Sequence, residues 1–167
     1  MPADGQSKII ADKQGDNWGL KAVRKALGTE GVRSPLACIQ TTDIDATLKL
    51  VKAEYGELIL DWTADARLNA FDGIIMGGAL NVLGDFVQAH VFTSLLDRPA
   101  GFSTVDFHTR FLRPVPSGET YRIESRLIDR ASRSAIIDTH IYRPDGKATT
   151  HITGAWQLTD RAFRLED

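Results

Sequence analysis

Hydrophobic side chains are densest between Gly77 and Leu96, where they recur on nearly every face of a predicted helix. A surface helix keeps one polar side, so this pattern predicts a helix that is buried almost all round. Three polar residues interrupt it at helical spacing: Asn81, Asp85 and Gln88. Burying an unpaired carboxylate is costly, so we expect Asp85 either to pair with a neighbour and fix the packing or to line a cleft.

The chain before this helix predicts one small helix and two strands. Residues 1 to about 15 are polar, and Asp16 or Asn17 could cap an amphipathic accessory helix that ends near Gly28. The remaining elements follow in order: a surface connection over 31–45, strands over 46–53 and 57–63 about a Tyr55-Gly56 turn, and a loop over 64–76 that leads into the buried helix.

After the buried helix the pattern changes to the two-residue alternation of β-strands. Turn residues separate four strand segments, over 102–113, 119–130, 133–143 and 147–159, and Pro144-Asp145-Gly146 is a strong hairpin signal. Short connections favour antiparallel neighbours in one strongly twisted sheet. A helix that is apolar all round is buried most economically when such a sheet curls about it and a second copy of the molecule covers the rest. The expected class is α+β, a strongly curved antiparallel sheet wrapped around a central helix, with an amino-terminal accessory helix.

The composition limits which binding partners and which cellular compartment we expect for the chain. The 167 residues carry 20 basic and 22 acidic side chains, so the net charge of −2 attracts neither nucleic acid nor an acidic membrane surface. Cys38 is the only cysteine, which excludes an internal disulfide framework and fits a reducing, cytoplasmic compartment. Neither a secretory signal nor a membrane span is predicted. We expect an extension over 1–45, one domain over 46–160 and a tail over 161–167.

The start of the buried helix offers the clearest candidate chemistry. Gly77 and Gly78 let a ligand approach the backbone, and a helix amino terminus presents free N–H groups to an oxyanion. A tight turn into the helix is the alternative explanation. Thioester hydrolysis needs only such a donor on the carbonyl and a carboxylate near the attacking water, for which Asp85 is the candidate. The sequence contains no nucleophile elbow, no phosphate-binding loop and no metal-ligand spacing among its four histidines, so neither a cofactor nor a metal is expected.

Two stretches of sequence carry a resemblance to a known family. The first is the spaced series Asn69, Gly73, Gly77-Gly78 and Asp85, in which the carboxylate follows the second glycine by seven positions. The second is FSTVDFHTRFLRPVPSG, an alternating strand followed by Leu-Arg-Pro and a glycine turn, and Arg133-Ser134-Ala135 continues the register. Over about 45–160 the chain resembles the hotdog-fold acyl-CoA thioesterases of the phenylacetate-degradation type.

This resemblance implies a hotdog fold, an acyl-CoA substrate and a role for each matched residue. The Gly77 N–H would polarise the thioester carbonyl, and Asp85 would activate water or attack directly. Thr104 or Ser103 would place the water, and Asn69 would line the pocket. The implied substrate-binding residues are Gly78, Met76, Ser103, Arg133 and Ser134, and the guanidinium of Arg133 suits the phosphates of coenzyme A. Met76 departs from the pattern, because many members of the family carry a histidine there.

Helix geometry indicates that one chain cannot bring both its Gly77 N–H and its Asp85 carboxylate to one thioester carbonyl. Gly77 and Asp85 are eight residues apart, which is roughly 12 Å along the axis at 1.5 Å per residue. The glycine must therefore work with the carboxylate of an antiparallel helix in another copy, and we expect a homodimer or a dimer of dimers. Three functions remain open: an acyl-CoA thioesterase, a weak or inactive relative that binds acyl-CoA, and an oligomerisation module without a ligand.

Overall fold

A computed structural model describes residues 9–10, 17–28 and 47–160 of the chain. Within these residues the helices are α1 (Trp18–Leu27) and α2 (Gly77–Ser94). The strands are β1 (Leu48–Glu54), β2 (Glu57–Thr63), β3 (Asn69–Phe71), β4 (Ile74–Ile75), β5 (Phe102–Phe111), β6 (Thr120–Arg130), β7 (Ser134–Tyr142) and β8 (Ala148–Leu158). The connection predicted over 31–45 and the tail predicted over 161–167 lie outside the described residues.

The buried helix that the sequence predicts is α2. It packs against five strands of one sheet, β2, β5, β6, β7 and β8, so the sheet curves around it. The helix side chains Leu83, Phe86, Val87 and Phe92 are fully buried in a core to which the sheet contributes Trp62, Ile123, Ile137 and Trp156. The prediction of an antiparallel sheet wrapped around a central helix is therefore confirmed.

The sheet contains six antiparallel strands in the order β1-β2-β6-β7-β8-β5. The prediction that short connections join sheet neighbours holds for β1–β2, β6–β7 and β7–β8, but it is wrong for β5 and β6. Residues 112–119 do not form a hairpin, because they cross the ends of the strands from β8 to β2. The N–H of Leu112 donates to Thr149 at one side of this crossing, and the N–H of Gly118 donates to Ala64 at the other. As a result, β5 pairs only with β8 and forms one edge of the sheet in the described chain.

The predicted accessory helix is α1, and it covers the carboxyl end of α2. Asn17 caps α1 by accepting a hydrogen bond from the Leu20 N–H at 2.7 Å, and Gly28 follows the last turn, as expected. The amide nitrogen of Asn17 also donates to the backbone carbonyl of Ser94 in the last turn of α2. In the described part of the chain, neither helix has the length and apolar character that crossing a lipid bilayer requires.

The predicted loop over 64–76 is more ordered than the sequence indicates. A single 3-10 turn (Ala66–Leu68) is followed by a small hairpin in which β3 pairs with β4. Asp72 and Gly73 make the hairpin turn with positive φ angles of 41° and 74°. The hairpin is held to the connection between β5 and β6 because the N–H of Ile75 donates to the Val115 carbonyl at 2.9 Å. It therefore fixes the point at which the chain enters α2.

Candidate active site

The amino terminus of α2 is an open, glycine-led helix end. Gly77 and Gly78 are the first two residues of the helix, and N–H groups at these positions have no acceptor within the helix. The preceding Met76 adopts an extended conformation, makes no side-chain cap and is 52% exposed. A Cβ atom on Gly77 would lie 3.0 Å from the Phe111 ring tip, so glycine leaves room for this ring against the helix start. The helix dipole and the free N–H groups favour a negatively charged oxygen here.

Asn69 lies beside this helix end. It is the first residue of β3 and pairs with Ile75, two residues ahead of Gly77. Its side-chain oxygen is buried and has no hydrogen-bond partner among the described residues. A buried acceptor without a partner is uncommon and suits a position where a ligand or a second chain completes the site. The structure therefore places Asn69 close to Met76, Gly77 and Gly78 at the start of α2.

Asp85 lies two helical turns farther along α2 and points toward β5. Its carboxylate is half-buried and accepts a hydrogen bond of 2.8 Å from the Thr104 hydroxyl. One turn earlier, Asn81 accepts a hydrogen bond of 2.7 Å from Thr109 on the same strand. The side of α2 that carries Asn81 and Asp85 is thus lined by hydroxyl groups of β5.

A β-bulge at Val105 gives Thr104 its orientation. Thr104 pairs with Trp156 and Asp106 pairs with Ala155, so Val105 is the extra residue between the two pairs. Because Trp156 is buried, the Thr104 opposite it faces α2, while Ser103 pairs with the exposed Gln157 and faces the other way. Of the two hydroxyl residues named for placing water, only Thr104 contacts Asp85.

Gln88, the third polar residue on the helix, is not part of this cleft. It is fully buried, its carbonyl oxygen accepts from the Trp156 indole N–H at 2.9 Å, and its NH₂ donates to Thr139 and to the Ile152 carbonyl. A Cβ atom on Gly154 would lie 2.0 Å from the Gln88 oxygen, so only glycine leaves room for the amide. Gln88 therefore anchors α2 to β7 and β8.

The other predicted substrate-binding residues lie on the opposite face of the sheet from the helix. Ser103 and Ser134 both pair with Gln157, so the three residues form one row across β5, β8 and β7. Arg133 precedes this row, and its guanidinium donates to Asp160 at 2.7 Å and to the Leu158 carbonyl at 3.3 Å. These residues share one end of the strands with Thr104 but do not contact Asp85.

His90 does not reach this cleft either. Its Nδ1 lies 2.8 Å from the Phe86 carbonyl one turn earlier in α2, and its ring packs on the Phe86 ring. Burial lowers the pKa of His90, and the hydrogen bond to Phe86 offsets part of this effect. The neutral ring is therefore a packing element of the helix.

A second group of polar residues lies on the outer face of the sheet, where Asp138, His140 and His151 could hold a metal ion. Their spacing in the sequence does not indicate a metal site, because two strands contribute them. The hairpin predicted at Pro144-Asp145-Gly146 does indicate that these residues lie close together, because a tight turn there places His140 opposite His151. Burial is the main cause of a lowered pKa for His140, and the neighbouring His151 adds to it.

Comparison with known proteins shows which proteins this arrangement is similar to. Residues 72–150 match the model of the thioesterase superfamily. No curated protein sequence matches the chain. Among solved structures, a phenylacetic acid degradation-related protein from Ralstonia eutropha JMP134 is 23% identical with a TM-score of 0.67, covering 86% of this chain and 100% of its own.

Two further solved structures have the same fold at lower identity. The PaaI protein of the E. coli phenylacetic acid degradation operon is 17% identical with a TM-score of 0.66, covering 77% of this chain and 88% of its own. A hypothetical thioesterase protein from Streptococcus pneumoniae TIGR4, solved with coenzyme A, is 16% identical with a TM-score of 0.63, covering 70% of this chain and 91% of its own. The predicted resemblance to hotdog-fold thioesterases is thus confirmed, and the fold is the hotdog fold.

Proposed function

We propose that the chain is an acyl-CoA thioesterase whose catalytic carboxylate is Asp85. The observation that carries this proposal is the hydrogen bond from Thr104 to Asp85, which orients a half-buried carboxylate on a helix that begins with two glycines. A carboxylate accepting from one hydroxyl keeps lone pairs free for a water proton. The thioesterase-superfamily match over residues 72–150 supports the same chemistry.

In the proposed reaction Asp85 accepts a proton from water while the water oxygen bonds to the thioester carbon. The carbonyl becomes an oxyanion, which the N–H of Gly77 stabilises. The C–S bond then breaks, the thiolate of coenzyme A takes the proton from Asp85, and the products are a carboxylic acid and the free thiol. Thr104 holds the Asp85 carboxylate in position for both proton transfers. Direct attack by Asp85 would instead give a transient anhydride that water hydrolyses.

We further propose that each site is shared between two copies of the chain. Gly77 and Asp85 of one chain are roughly 12 Å apart along α2, which is too far for both to contact one thioester. In the shared site the Gly77 N–H and the Asp85 carboxylate therefore come from the α2 helices of two different chains. The edge of β5 that pairs with no other strand among the described residues lies on this side of the molecule, together with several exposed apolar side chains, including Val82, Val105 at 61% exposure and Phe111 at 54% exposure. A second copy, antiparallel across a twofold axis, would cover them and complete two equivalent sites.

Coenzyme A is the proposed carrier of the acyl group. The Streptococcus pneumoniae relative was solved with coenzyme A, and guanidinium groups suit its phosphates. On this chain Arg133 is the candidate, and Ser103 and Ser134 lie in the same strand-end region. The Asp160 carboxylate that Arg133 contacts is almost fully exposed, so a phosphate can displace it at small cost.

The test is the release of free thiol from a panel of acyl-CoA esters by the wild type and by Asp85→Asn. We expect turnover to fall by about 10² or more, because an amide can neither accept the proton nor act as a nucleophile. Asp106→Asn is the matched control, since this carboxylate lies on β5 but is exposed and on the outer face. Equal turnover by Asp85→Asn and the wild type would contradict the catalytic assignment.

A binding protein without turnover is the second candidate, and Met76 is the observation that favours it. A thioether offers no N–H donor at the helix start, so the carbonyl would be polarised by the backbone alone. This candidate predicts that the wild type binds acyl-CoA esters and hydrolyses none of the panel.

A further inference from the structure

The outer face of the sheet, opposite α2, carries a compact group of side chains that the thioesterase proposal does not use. Asp138 and His140 are two residues apart on β7, so both point away from the helix, while Thr139 between them points inward to Gln88. His151 on β8 pairs directly with His140. We name these three residues, Asp138, His140 and His151, the outer-face cluster. All three are half-buried.

Hydrogen bonds and ring stacking already hold the outer-face cluster together. One carboxylate oxygen of Asp138 accepts from the His151 Nε2–H at 2.7 Å and from the Thr153 hydroxyl at 2.8 Å. The other lies 3.7 Å from Nδ1 of His140. The two imidazole rings stack with centroids 4.3 Å apart and planes 10° from parallel. The three potential ligand atoms lie within 4.8 Å of one another.

We propose that the outer-face cluster binds one divalent late first-row transition-metal ion, such as Zn²⁺, per chain. Two imidazoles and one carboxylate are the ligand types that Zn²⁺, Co²⁺ and Ni²⁺ accept, whereas Mg²⁺ and Ca²⁺ prefer oxygen ligands throughout. Three protein ligands leave one tetrahedral position for water.

Formation of this site requires the three ligand side chains to rotate. Tetrahedral Zn²⁺ with bonds of about 2.0–2.1 Å holds its ligand atoms about 3.3 Å apart, so the present separations, which are within 4.8 Å, must close by up to about 1.5 Å. The two rings must tilt out of their parallel stack, and His151 must exchange its hydrogen bond with Asp138 for the metal. Thr153 can keep its hydrogen bond and so orient the Asp138 carboxylate as an outer partner.

The formal charges of the outer-face cluster and its strand neighbours sum to zero when Asp138 is counted with them and the histidines are neutral. Glu124 pairs with His140 and Arg126 pairs with Asp138 across β6, while on β5 Arg110 pairs with His151 and His108 pairs with Thr153. One carboxylate and two guanidinium groups therefore flank the three ligands. His108 is exposed and lies one strand away, which makes it a matched control histidine.

The experiment uses the full chain, freed of any affinity tag and treated with a chelator. Titration calorimetry with Zn²⁺ should show one ion per chain, and Co²⁺ should give visible absorption bands typical of a tetrahedral site. His140→Ala and His151→Ala should each weaken Zn²⁺ binding by at least about 100-fold, and Thr153→Val should weaken it by about tenfold, because outer partners typically contribute factors of 10 to 100. His108→Ala should bind as the wild type does.

Several outcomes would overturn the proposal. The proposal is wrong if the wild type binds no Zn²⁺ or binds Mg²⁺ as tightly as Zn²⁺. It is also wrong if His140→Ala and His151→Ala bind Zn²⁺ as tightly as the wild type does. His140→Gln and Asp138→Asn, which preserve side-chain shape, replace the alanine variants if those fail to fold. Thermal unfolding gives a second readout, because Zn²⁺ should raise the Tm of the wild type and of His108→Ala but not that of a variant lacking a ligand. Thioesterase activity enters none of these measurements.

Discussion

Mixing two inactive variants, Asp85→Ala and Gly77→Val, should restore about a quarter of wild-type activity if sites are shared between chains. The first variant lacks the carboxylate and keeps the helix start. The second keeps the carboxylate, but its side chain covers the N–H that would bind the oxyanion. A Cβ atom added to Gly77 would lie 3.0 Å from the tip of the Phe111 ring. Valine there would therefore displace an exposed aromatic side chain rather than backbone. Each variant alone should be nearly inactive.

The value of a quarter follows from the pairing of the two helices. Random exchange at equal concentrations makes about half of all dimers mixed. In a mixed dimer, one site combines the intact Gly77 of the first chain with the intact Asp85 of the second. The other site combines both defects. Half of the sites in half of the dimers are therefore intact, which gives about one quarter at equal total protein.

The assay is thiol release after the two variants, carrying different removable tags, are unfolded and refolded together. Sequential purification on both tags measures the mixed fraction, and the isolated mixed dimer should have about half of the wild-type activity. Refolding each variant alone is the control. A verified mixed dimer without activity, or a wild type that sediments as a monomer while it turns over substrate, would refute the shared site.

Asn81 supplies a check on the helix pairing that does not depend on turnover. It is midway between Gly77 and Asp85, so antiparallel helices that align these two residues place Asn81 opposite its own counterpart. Asn81→Cys, in a chain whose native Cys38 is changed to serine, should form a disulfide-linked dimer on mild oxidation. Cysteine at the exposed Ile128 on β6 is the control and should not cross-link.

Three further predictions concern single residues. Met76→His should raise thioester turnover about tenfold, or ~1.4 kcal/mol, by adding an N–H donor at the helix start; unchanged turnover in a folded variant would mean that another group already supplies it. Thr104→Val should lower turnover about tenfold or more, because it removes the hydrogen bond that orients the Asp85 carboxylate. Thermal stability should stay nearly unchanged. Because the pKa of His90 is lower in the folded than in the unfolded chain, the unfolded chain binds more protons than the folded chain below about pH 6.5. The free energy of unfolding measured with urea should therefore fall as the pH drops from 7 to 5, and it should fall less in His90→Gln.

Much of the fold was predictable because local patterns determine it. Leu83, Val87 and their neighbours make most of the surface of α2 apolar, and such a helix must be packed on several sides, which the curved sheet does here. Alternation and turn residues located β6, β7 and β8 to within a few residues. The partner of β5 was not predictable in this way, because its connection to β6 is short enough for a hairpin but runs across the strand ends. Turn length alone does not distinguish these two paths.

The candidate site was predictable in part for the same reason. Asp85 and Gly77 are conspicuous in sequence because a carboxylate and a glycine pair are unusual in an apolar helix. The choice between Thr104 and Ser103 depends on the bulge at Val105, and no residue type in that segment marks a bulge. The buried role of Gln88 depends on Gly154 and Trp156, which lie on a strand more than 60 residues away.

The position of β5 at the sheet edge has a consequence for how the site assembles during folding. Its ladder partner β8 begins 37 residues after β5 ends, so pairing of the two strands closes a long loop, and we expect it to follow formation of the β6–β7 and β7–β8 hairpins. Thr104 faces Asp85 next to the bulge in this ladder, so we expect its orientation to be fixed only when β5 docks on β8. Backbone amides of β5 should exchange with solvent sooner than those of β7, and association with a second copy should slow them. Assembly of the dimer would in this way complete the surroundings of the Asp85 carboxylate as well as supply its partner helix.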